Sequence, residues 1–274
     1  MLNEIFHYYT TPCPKAHRSL GYLSGLIAIQ ARYQRVAEQW QPHLENSRRF
    51  ILQAASQTAQ RHKVVVLGSG LLKDVPVETL AKQFDSVILI DIAHLISTRY
   101  RCIKLDNIVL LEHDITGLAE ALISYQSEMA LPLPNAQLPN IALDADLIIS
   151  CNMLSQIAIT PSEYLQQHFT TEADQLTKWQ QAIIIDHLSL LADQSGRRVL
   201  LCDAYHDYLD REGRLLKREE VLQGINVGEA EQQWRWIIAP LGELDKQYQV
   251  QSTVLGFSDW SLPTLSKISS SLKD

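Results

Sequence analysis

The stretch Lys63–Asp74, KVVVLGSGLLKD, decides the fold of this chain. Its four apolar residues 64–67 lead directly into the turn Gly68-Ser69-Gly70, and the next segment, VPVETLAKQF, has the pattern of a helix. A fully apolar run before a glycine turn and a helix predicts a buried parallel strand. Ligands of open α/β sheets bind at the carboxyl ends of such strands, so the turn predicts a site for a phosphate- or nucleotide-sized ligand.

The rest of the chain alternates between predicted strands and helices. After the first strand, Lys63–Leu67, the predicted strands are Ser86–Asp91, Asn107–Leu111, Ala145–Ser150, Arg197–Cys202, Gln232–Ala239 and Gln249–Phe257. The last two are joined by a short segment that leaves no room for a crossover helix, so they are predicted to be antiparallel. The pattern predicts an α/β fold with a doubly wound, mostly parallel, seven-stranded Rossmann-like sheet and an antiparallel last strand. Its ligand site is expected near the ends of the first and fourth strands.

The helices between these strands are predicted from apolar periodicity and turn residues. They are Val75–Phe84, Ile92–Tyr100, Gly117–Tyr125, Pro161–His168 and Thr171–Asp193. Asp74 is expected to cap the first of them, with Pro76 in its first turn.

The segment before the sheet is predicted to be a helical pair. Pro12 and Pro14 predict an irregular arm over Met1–Pro14. Apolar stripes then predict helices over Ser19–Trp40 and His43–Gln60, with Pro42 ending the first. We therefore divide the chain into an N-terminal arm and helical cap, residues 1–62, and a Rossmann-like domain, residues 63–274.

Composition and charge narrow the function classes. The 274 residues are 46% hydrophobic and carry a formal net charge of −7, which argues against a general nucleic-acid binder. Residues 11–63 nevertheless contain eight Lys or Arg and only two acidic residues. This basic stretch is either a solvated helix face or a surface for an acidic substrate or partner.

The chain is expected to be a cytoplasmic protein with reduced thiols. Its four cysteines are widely spaced, with no CxxC pair, and no His, Cys, Asp or Glu spacing is typical of a metal site. No apolar run approaches the roughly 18 residues of a membrane span, and the first ten residues do not have the pattern of a secretory signal.

Three polar signals follow the ends of three consecutive strands. The glycine turn follows the first strand, and its glycines allow close approach of a ligand to the backbone. Asp91 ends the second strand, 21 residues after Gly70, where a carboxylate can accept both hydroxyls of a ribose. Asp114 follows the third strand, where it can accept from an adenine amino group while Ile115 packs on the ring. Each carboxylate can instead cap the helix that follows it.

With these signals in this order, residues 64–257 resemble the class I S-adenosylmethionine-dependent methyltransferases. The resemblance implies that Gly68, Ser69 and Gly70 face the methionine part of S-adenosylmethionine, that Asp91 holds its ribose and that Asp114 contacts its adenine. The segments AHRSLGYLSGLIAIQARY and GSGLLKDVP also resemble a bacterial group within this class, from which no activity carries over.

The sequence departs from that family at two positions of the turn. Val66 stands where an acidic residue is usual, and Leu72 stands where a third glycine is common. Asp74 either replaces the missing acid or only caps the next helix. These departures leave open an altered cofactor geometry or a degenerate site.

The segment after the fourth strand, Ser150–Gln156, lacks the D/N-P-P-Y/F motif of enzymes that methylate amino groups. Nucleic-acid methylation is therefore disfavoured. Asn152 is a candidate for cofactor binding and Gln156 for substrate binding, both through their amides. Alternatively, both side chains cap a short helix.

Candidate catalytic residues follow the fifth strand. His206 is the first choice for a general base because imidazole titrates near neutral pH, and Asp203 is the second. Tyr205 is expected beside them at the substrate. If the helical pair covers this edge of the sheet, His17, Arg18 and Tyr22 complete a substrate pocket. Otherwise these residues lie on the surface and dock the N-terminal arm. The alternative for His206 is a polar histidine in a loop.

The preferred function is S-adenosylmethionine-dependent methyl transfer to a small-molecule acceptor, with the basic stretch pointing to an acidic group on that acceptor. One alternative is an NAD-dependent enzyme, although Lys73 stands where the dinucleotide fingerprint has its third glycine or alanine. Another is a methyltransferase-like protein that binds a nucleoside or a partner without catalysis. The oligomeric state is left open.

Overall fold

A computed structural model describes residues 2–263. The helices are α1 Leu2–Thr10, α2 Lys15–Leu20, α3 Tyr22–Ser56, α4 Val77–Gln83, α5 Ile96–Cys102, α6 Ala119–Ile123, α7 Ile159–His168 and α8 Ala173–Ala192, with a short 3-10 turn at Asn140–Ala142. The strands are β1 Lys63–Leu67, β2 Ser86–Asp91, β3 Ile108–Glu112, β4 Leu147–Cys151, β5 Arg197–Asp210, β6 Leu215–Glu220, β7 Gln232–Ala239 and β8 Tyr248–Phe257.

The strands form one sheet in the order β3-β2-β1-β4-β5-β8-β7, with β6 paired to β5. Strands β1 to β5 are parallel, whereas β8 runs antiparallel to β5 and to β7. The prediction of a doubly wound, mostly parallel Rossmann-like sheet with an antiparallel last strand is confirmed. The strand order reverses between β1 and β4, and this places the switch point beside the glycine turn.

The two faces of β1 explain why the turn is rigidly placed. Val65 and Leu67 pack in a core cluster that includes α8, whereas Val64 and Val66 pack against Phe50 and neighbouring residues of α3. All four side chains are fully buried. A strand that is buried on both faces presents its carboxyl end, and therefore residues 68–70, at a fixed position.

The number of strands differs from the prediction, because β5 extends to Asp210 and pairs there with the additional strand β6. Arg218 donates to Asp207 at 2.6 and 2.8 Å across this pair, and the Tyr208 hydroxyl donates to Glu219 at 2.8 Å. These strands project beyond the core and carry charges on their exposed surfaces. No alternation of apolar and polar residues therefore marked them in the sequence.

The N-terminal region also differs from the prediction. Residues 2–10 form a helix rather than an irregular arm, and Pro12 and Pro14 lie in the segment that separates α1 from α2. Pro42 does not end the next helix: α3 runs for 35 residues, with non-helical torsion angles at Val36. The proline removes one amide hydrogen bond, and the helix continues because its buried side chains pack on the sheet.

Helix α4 begins later than predicted. Its first residue is Val77 and Pro76 occupies the N-cap position, where no side chain makes a capping hydrogen bond. Asp74 is therefore not the helix cap, and its carboxylate is available for other contacts. A long apolar helix of the kind that crosses a membrane does not occur within residues 2–263.

Candidate functional site

A cavity of about 440 Å³ lies over the carboxyl ends of the central strands. Its floor comes from the loops after β1 to β4 and from the first part of the β5 extension, and its roof comes from the amino-terminal half of α3. Tyr22, Gly25, Leu26 and Ile29 of α3 line it. The volume is in the range of small-molecule and cofactor pockets.

The glycine turn forms the part of the floor that follows β1. The amide groups of Gly68 and Ser69 both donate to the Ile90 carbonyl, at 3.0 and 3.2 Å. Gly68 has a φ of +72°, and a Cβ added to it would lie 2.8 Å from Cβ of Met153. The turn therefore fits tightly between the β2 end and the loop after β4.

The two departures in the turn have a structural explanation. Leu72 has a φ of +55°, so the backbone keeps the left-handed conformation that normally favours glycine. Its side chain and that of Val66 are fully buried in the same apolar cluster. A carboxylate at position 66 would be buried in this cluster, which explains why the acidic groups of this site lie elsewhere.

Asp91 joins the turn to the loop after β2. Its Oδ2 accepts from the Gly70 amide at 2.6 Å, and its Oδ1 accepts from the Ile92 amide at 2.7 Å. Burial raises the pKa of this carboxyl group, while His94 and the backbone donors oppose that shift. Asp91 lines the cavity with both oxygens oriented by the backbone.

Asp114 lines the cavity but also caps the next turn. Its Oδ1 accepts from the amide and the hydroxyl of Thr116, at 2.9 and 2.6 Å, and its Oδ2 accepts from the Ala119 amide at 2.8 Å. Ile115 beside it is buried and lines the cavity as well. Burial and the Asp114 charge raise the pKa of the Tyr22 hydroxyl, which lies opposite them on α3.

Asp74 and Asn152 form a pair that the sequence did not predict. The Asn152 side chain donates from Nδ2 to Asp74 Oδ2 at 2.6 Å, and its backbone has a φ of +51°. Its other side-chain atom, Oδ1, is buried and has no hydrogen-bond partner within the described part of the chain. The pair therefore presents a carboxylate and an unpaired amide oxygen at a cavity-lining position, a suitable acceptor set for an ammonium group.

Asp203 and His206 lie together because of an irregularity in β5. Residues three apart on a regular strand point to opposite faces, but the pairing with β8 shifts between Asp203 and Tyr205 and leaves Ala204 as an extra residue. His206 Nε2 thus lies 3.8 Å from Asp203 Oδ2. Asp203 accepts from the hydroxyls of Ser252 at 2.7 Å and Ser155 at 3.3 Å, so it is held in place next to the histidine.

Three predicted substrate residues do not line the cavity. Arg18 donates to the carbonyls of Tyr8 and Thr11, at 2.7 and 3.1 Å, and so ties α1 to α2. His17 is buried, with its ring 6.2 Å from that of Tyr22. Tyr205 is 38% exposed on the β5 extension beneath the Arg218 guanidinium. Tyr22 and Gln156, in contrast, do line the cavity.

Two cationic side chains that the sequence did not single out line the cavity. Arg32 Nε lies 3.6 Å from the Glu243 carboxylate. That carboxylate accepts two shorter hydrogen bonds from Arg35, at 2.6 and 3.1 Å. The Lys73 ammonium lies 4.4 Å from the centre of the Tyr33 ring, and burial lowers its pKa. These two groups place positive charge at a cavity that is also lined by four carboxylates, those of Asp74, Asp91, Asp114 and Asp203.

Aromatic side chains form the wall near the β5 extension. The rings of Trp40 and Trp236 meet edge to face at 5.0 Å, and the His43 ring stacks on Trp236 at 4.2 Å. His43 accepts from the Trp234 indole at 3.0 Å, and burial lowers its pKa. The wall is therefore apolar and neutral at pH 7. Within residues 2–263, no group of three or more His, Cys, Asp and Glu could hold a metal ion.

No protein-family model matches the chain, and no curated protein is significantly similar to it. Similar solved structures include DhpI in complex with SAH, with 11% identity over 83% of this chain and 93% of that chain and a TM-score of 0.35. The N-methyltransferase NodS from Bradyrhizobium japonicum with S-adenosylhomocysteine has 14% identity, coverages of 77% and 85%, and a TM-score of 0.35. The 1,6-didemethyltoxoflavin-N1-methyltransferase of Burkholderia thailandensis has 12% identity, coverages of 89% and 91%, and a TM-score of 0.34. At this level the similarities assign neither an activity nor a ligand to this chain.

Proposed function

We propose that the cavity binds S-adenosylmethionine and that the protein transfers its methyl group to a small-molecule acceptor with an acidic group. The observation that carries this proposal is the meeting of three features in one cavity. The glycine turn, the Asp91 carboxylate and the Asp74–Asn152 pair lie at the ends of adjacent parallel strands. A turn that a ligand can approach closely, a ribose-binding carboxylate and an ammonium-binding pair thus lie at one place.

The residues present fit each part of such a cofactor. The Asp91 carboxylate interacts with the backbone amides of Gly70, Ile92 and Ala93 and still has lone-pair capacity for a ribose hydroxyl. Ile115 supplies an apolar surface for adenine, with Asp114 and its neighbours beside it. The unpaired Asn152 Oδ1 is the strongest indication, because a buried amide oxygen without a partner is costly unless a ligand supplies a donor.

In this assignment, Asp74 takes the role that the usual acid at position 66 has in related enzymes. Its carboxylate is oriented by Asn152 at 2.6 Å and lines the cavity directly after the glycine turn. The Asp74 charge would pair with the cofactor ammonium, and Asn152 Oδ1 would accept from the same group. The absent acid at Val66 is therefore no argument against a working site.

The acceptor is proposed to lie between the aromatic wall and the β5 extension. Arg32 and Lys73 would pair with its acidic group, and Trp40 and Trp236 would exclude water around it. S-Adenosylmethionine supplies an electrophilic methyl group on a sulfonium centre. The protein would supply alignment of the acceptor with that methyl group, from which most of the rate enhancement would come.

His206 would remove a proton from the acceptor where the acceptor has one to lose. Because Asp203 lies beside Nε2, it would stabilise an Nε2 proton and leave Nδ1 as the accepting atom. Asp203 itself accepts two serine hydroxyls, so it is better placed to orient His206 than to act as the base. His206 is thus proposed as the base and Asp203 as its positioning residue.

Calorimetric titration of the purified protein with S-adenosylmethionine, S-adenosylhomocysteine and NAD tests the cofactor. We expect the first two to bind with micromolar affinity and NAD to show no binding. Protein that is folded by circular dichroism but binds neither sulfur nucleoside would refute the proposal. Binding of NAD alone would favour the dehydrogenase alternative, and methyl transfer to no acceptor in spite of tight binding would favour a non-catalytic protein.

Asp74→Asn is expected to weaken S-adenosylhomocysteine binding by about 10- to 100-fold, because it removes a charge-assisted hydrogen bond to the ligand ammonium. 5′-Methylthioadenosine, which has no amino acid part, should bind the variant and the wild type equally. Calorimetry with both ligands measures the difference. An equal loss for both ligands would show that Asp74 acts on the fold of the site and not on the ammonium group.

A further inference from the structure

A chain of hydrogen bonds runs behind the glycine turn and crosses three strand ends. Ser69 Oγ lies 3.0 Å from His94 Nε2, and His94 Nδ1 lies 2.9 Å from Glu112 Oε1. Arg99 of α5 donates to the same Glu112 oxygen and, at 3.1 Å, to the His94 carbonyl. Ser69 lines the cavity, whereas His94 is fully buried and does not.

We infer that His94 is a positioning residue that fixes the direction of the Ser69 hydroxyl, so that this oxygen accepts a hydrogen bond from the cofactor ammonium. The inference rests on the proposed function, which places the methionine part of S-adenosylmethionine at the glycine turn. The inference gives Ser69 and His94 a role in ligand binding, in addition to any role in the structure of the turn.

The hydrogen-bond partners determine the tautomer of His94. Hydrogen bonding to His94 and the charge of Arg99 lower the pKa of Glu112, so Glu112 is a carboxylate that can only accept. A neutral imidazole held in this way donates from Nδ1 to Glu112, and its Nε2 has a lone pair. The single proton of Ser69 must then point to Nε2. Only the lone pairs of the Ser69 oxygen remain for a ligand, and these accept from donors such as an ammonium group.

The same three residue types form the triad of serine hydrolases, but the surroundings exclude that chemistry here. A serine nucleophile needs backbone amide groups free to stabilise an oxyanion. In this turn the amides of Gly68 and Ser69 donate to the Ile90 carbonyl, and the Gly70 amide donates to Asp91. With these donors occupied inside the protein, Ser69 is suited to orient a ligand and not to form an acyl intermediate.

Protonation of His94 would reverse the direction of the hydrogen bond. Nε2–H would donate to the Ser69 oxygen, and the hydroxyl proton would turn towards the cavity, where it would oppose an ammonium group. The charged groups that face His94 are Glu112 on β3, Arg99 on α5 and Asp91 at the end of β2. The proposed direction of the Ser69 hydroxyl therefore belongs to the neutral imidazole, in which Nε2 accepts.

Calorimetric titration with S-adenosylhomocysteine at about pH 8 tests the inference on the full chain. Ser69→Ala keeps the backbone of the turn and removes only the hydroxyl. His94→Asn keeps a donor near Glu112 and has no atom at the Nε2 position. Each variant is expected to bind about 5- to 10-fold more weakly than wild type at pH 8, and the double variant no more weakly than the weaker single variant.

A ligand without the ammonium group separates positioning from a general structural role, and Ser69→Ala carries this test even if His94→Asn fails to fold. 5′-Methylthioadenosine, which has no ammonium group, should bind wild type and Ser69→Ala equally. A Ser69→Ala variant that binds S-adenosylhomocysteine like wild type, or losses that multiply in the double variant, would overturn the inference alone. Absence of binding to folded wild type would overturn the proposed function together with it.

Discussion

Asp91→Asn is expected to weaken S-adenosylhomocysteine binding by at least about 100-fold, the largest effect of any single polar substitution in the cavity. The carboxylate accepts from the Gly70 amide at 2.6 Å and from the Ile92 amide at 2.7 Å, with both oxygens in use. An asparagine has one oxygen, so its NH₂ group would face one of these backbone donors. The variant would lose a charge-assisted bond to the turn and, in the proposed assignment, the bonds to the ribose.

Asp146→Asn is a matched control for this substitution. Asp146 Oδ2 also accepts from two backbone amides, those of His62 at 2.7 Å and Lys63 at 2.9 Å, but it lies at the amino ends of β1 and β4. We expect Asp146→Asn to lower the stability against urea without changing the dissociation constant for S-adenosylhomocysteine. If folded Asp91→Asn bound this ligand within about twofold of wild type, the assignment of Asp91 to the ribose would be wrong.

Burial on both faces makes a strand predictable because it leaves a short apolar run in the sequence, as in β1 and β2. The bounds of β1, β2 and β7 were predicted as observed, and the first two are short apolar runs next to turn residues. The β5–β6 ribbon was missed because it is stabilised by cross-strand ion pairs such as Arg218–Asp207, which leave no hydrophobic pattern in the sequence. The helix end predicted at Pro42 is wrong because a proline removes only one helical hydrogen bond, and the packing that keeps the following turns helical depends on the tertiary structure. The kink of α3 lies at Val36 instead.

The site was predictable where it depended on a single strand end. Gly68, Asp91 and Ile115 were placed in the cavity from their positions after strands. For Asp74 the sequence leaves open a helix cap or a replacement for the missing acid, and the later start of α4 excludes the cap. No sequence pattern indicates a role for His94, because its contact with Glu112 depends on the register that pairs Asp91 with Glu112 across β2 and β3.

The Asp203–His206 pair shows a further limit of reasoning from spacing. Both residues were predicted to follow the fifth strand, in a loop. In a loop, a separation of three residues does not determine whether two side chains point to the same side. In a regular strand they would point to opposite faces, and only the extra residue at Ala204 brings both to the cavity. A bulge of this kind depends on the pairing with β8 and cannot be seen in β5 alone.

Gly68→Ala is expected to destabilise the protein by about 3 kcal/mol and to abolish S-adenosylhomocysteine binding. Two independent costs contribute to this value. A φ of +72° is unfavourable for any residue with a Cβ, and the added atom would lie 2.8 Å from Met153 Cβ and 3.1 Å from the Cys151 carbonyl oxygen. Relief of that contact would move the glycine turn away from the loop after β4, and so would separate Asp91 from the Asp74–Asn152 pair.

Gly213→Ala separates the two costs. Gly213 has a φ of +81° in the turn between β5 and β6, and a Cβ added there would have no atom within 4 Å. This variant should therefore lose only about 1 kcal/mol of stability in urea unfolding, from the backbone conformation, and should bind the ligand like wild type. An equal stability loss in both variants would show that the contact with Met153 is relieved without cost. Wild-type affinity in Gly68→Ala would show that the position of the turn does not affect binding of the ligand.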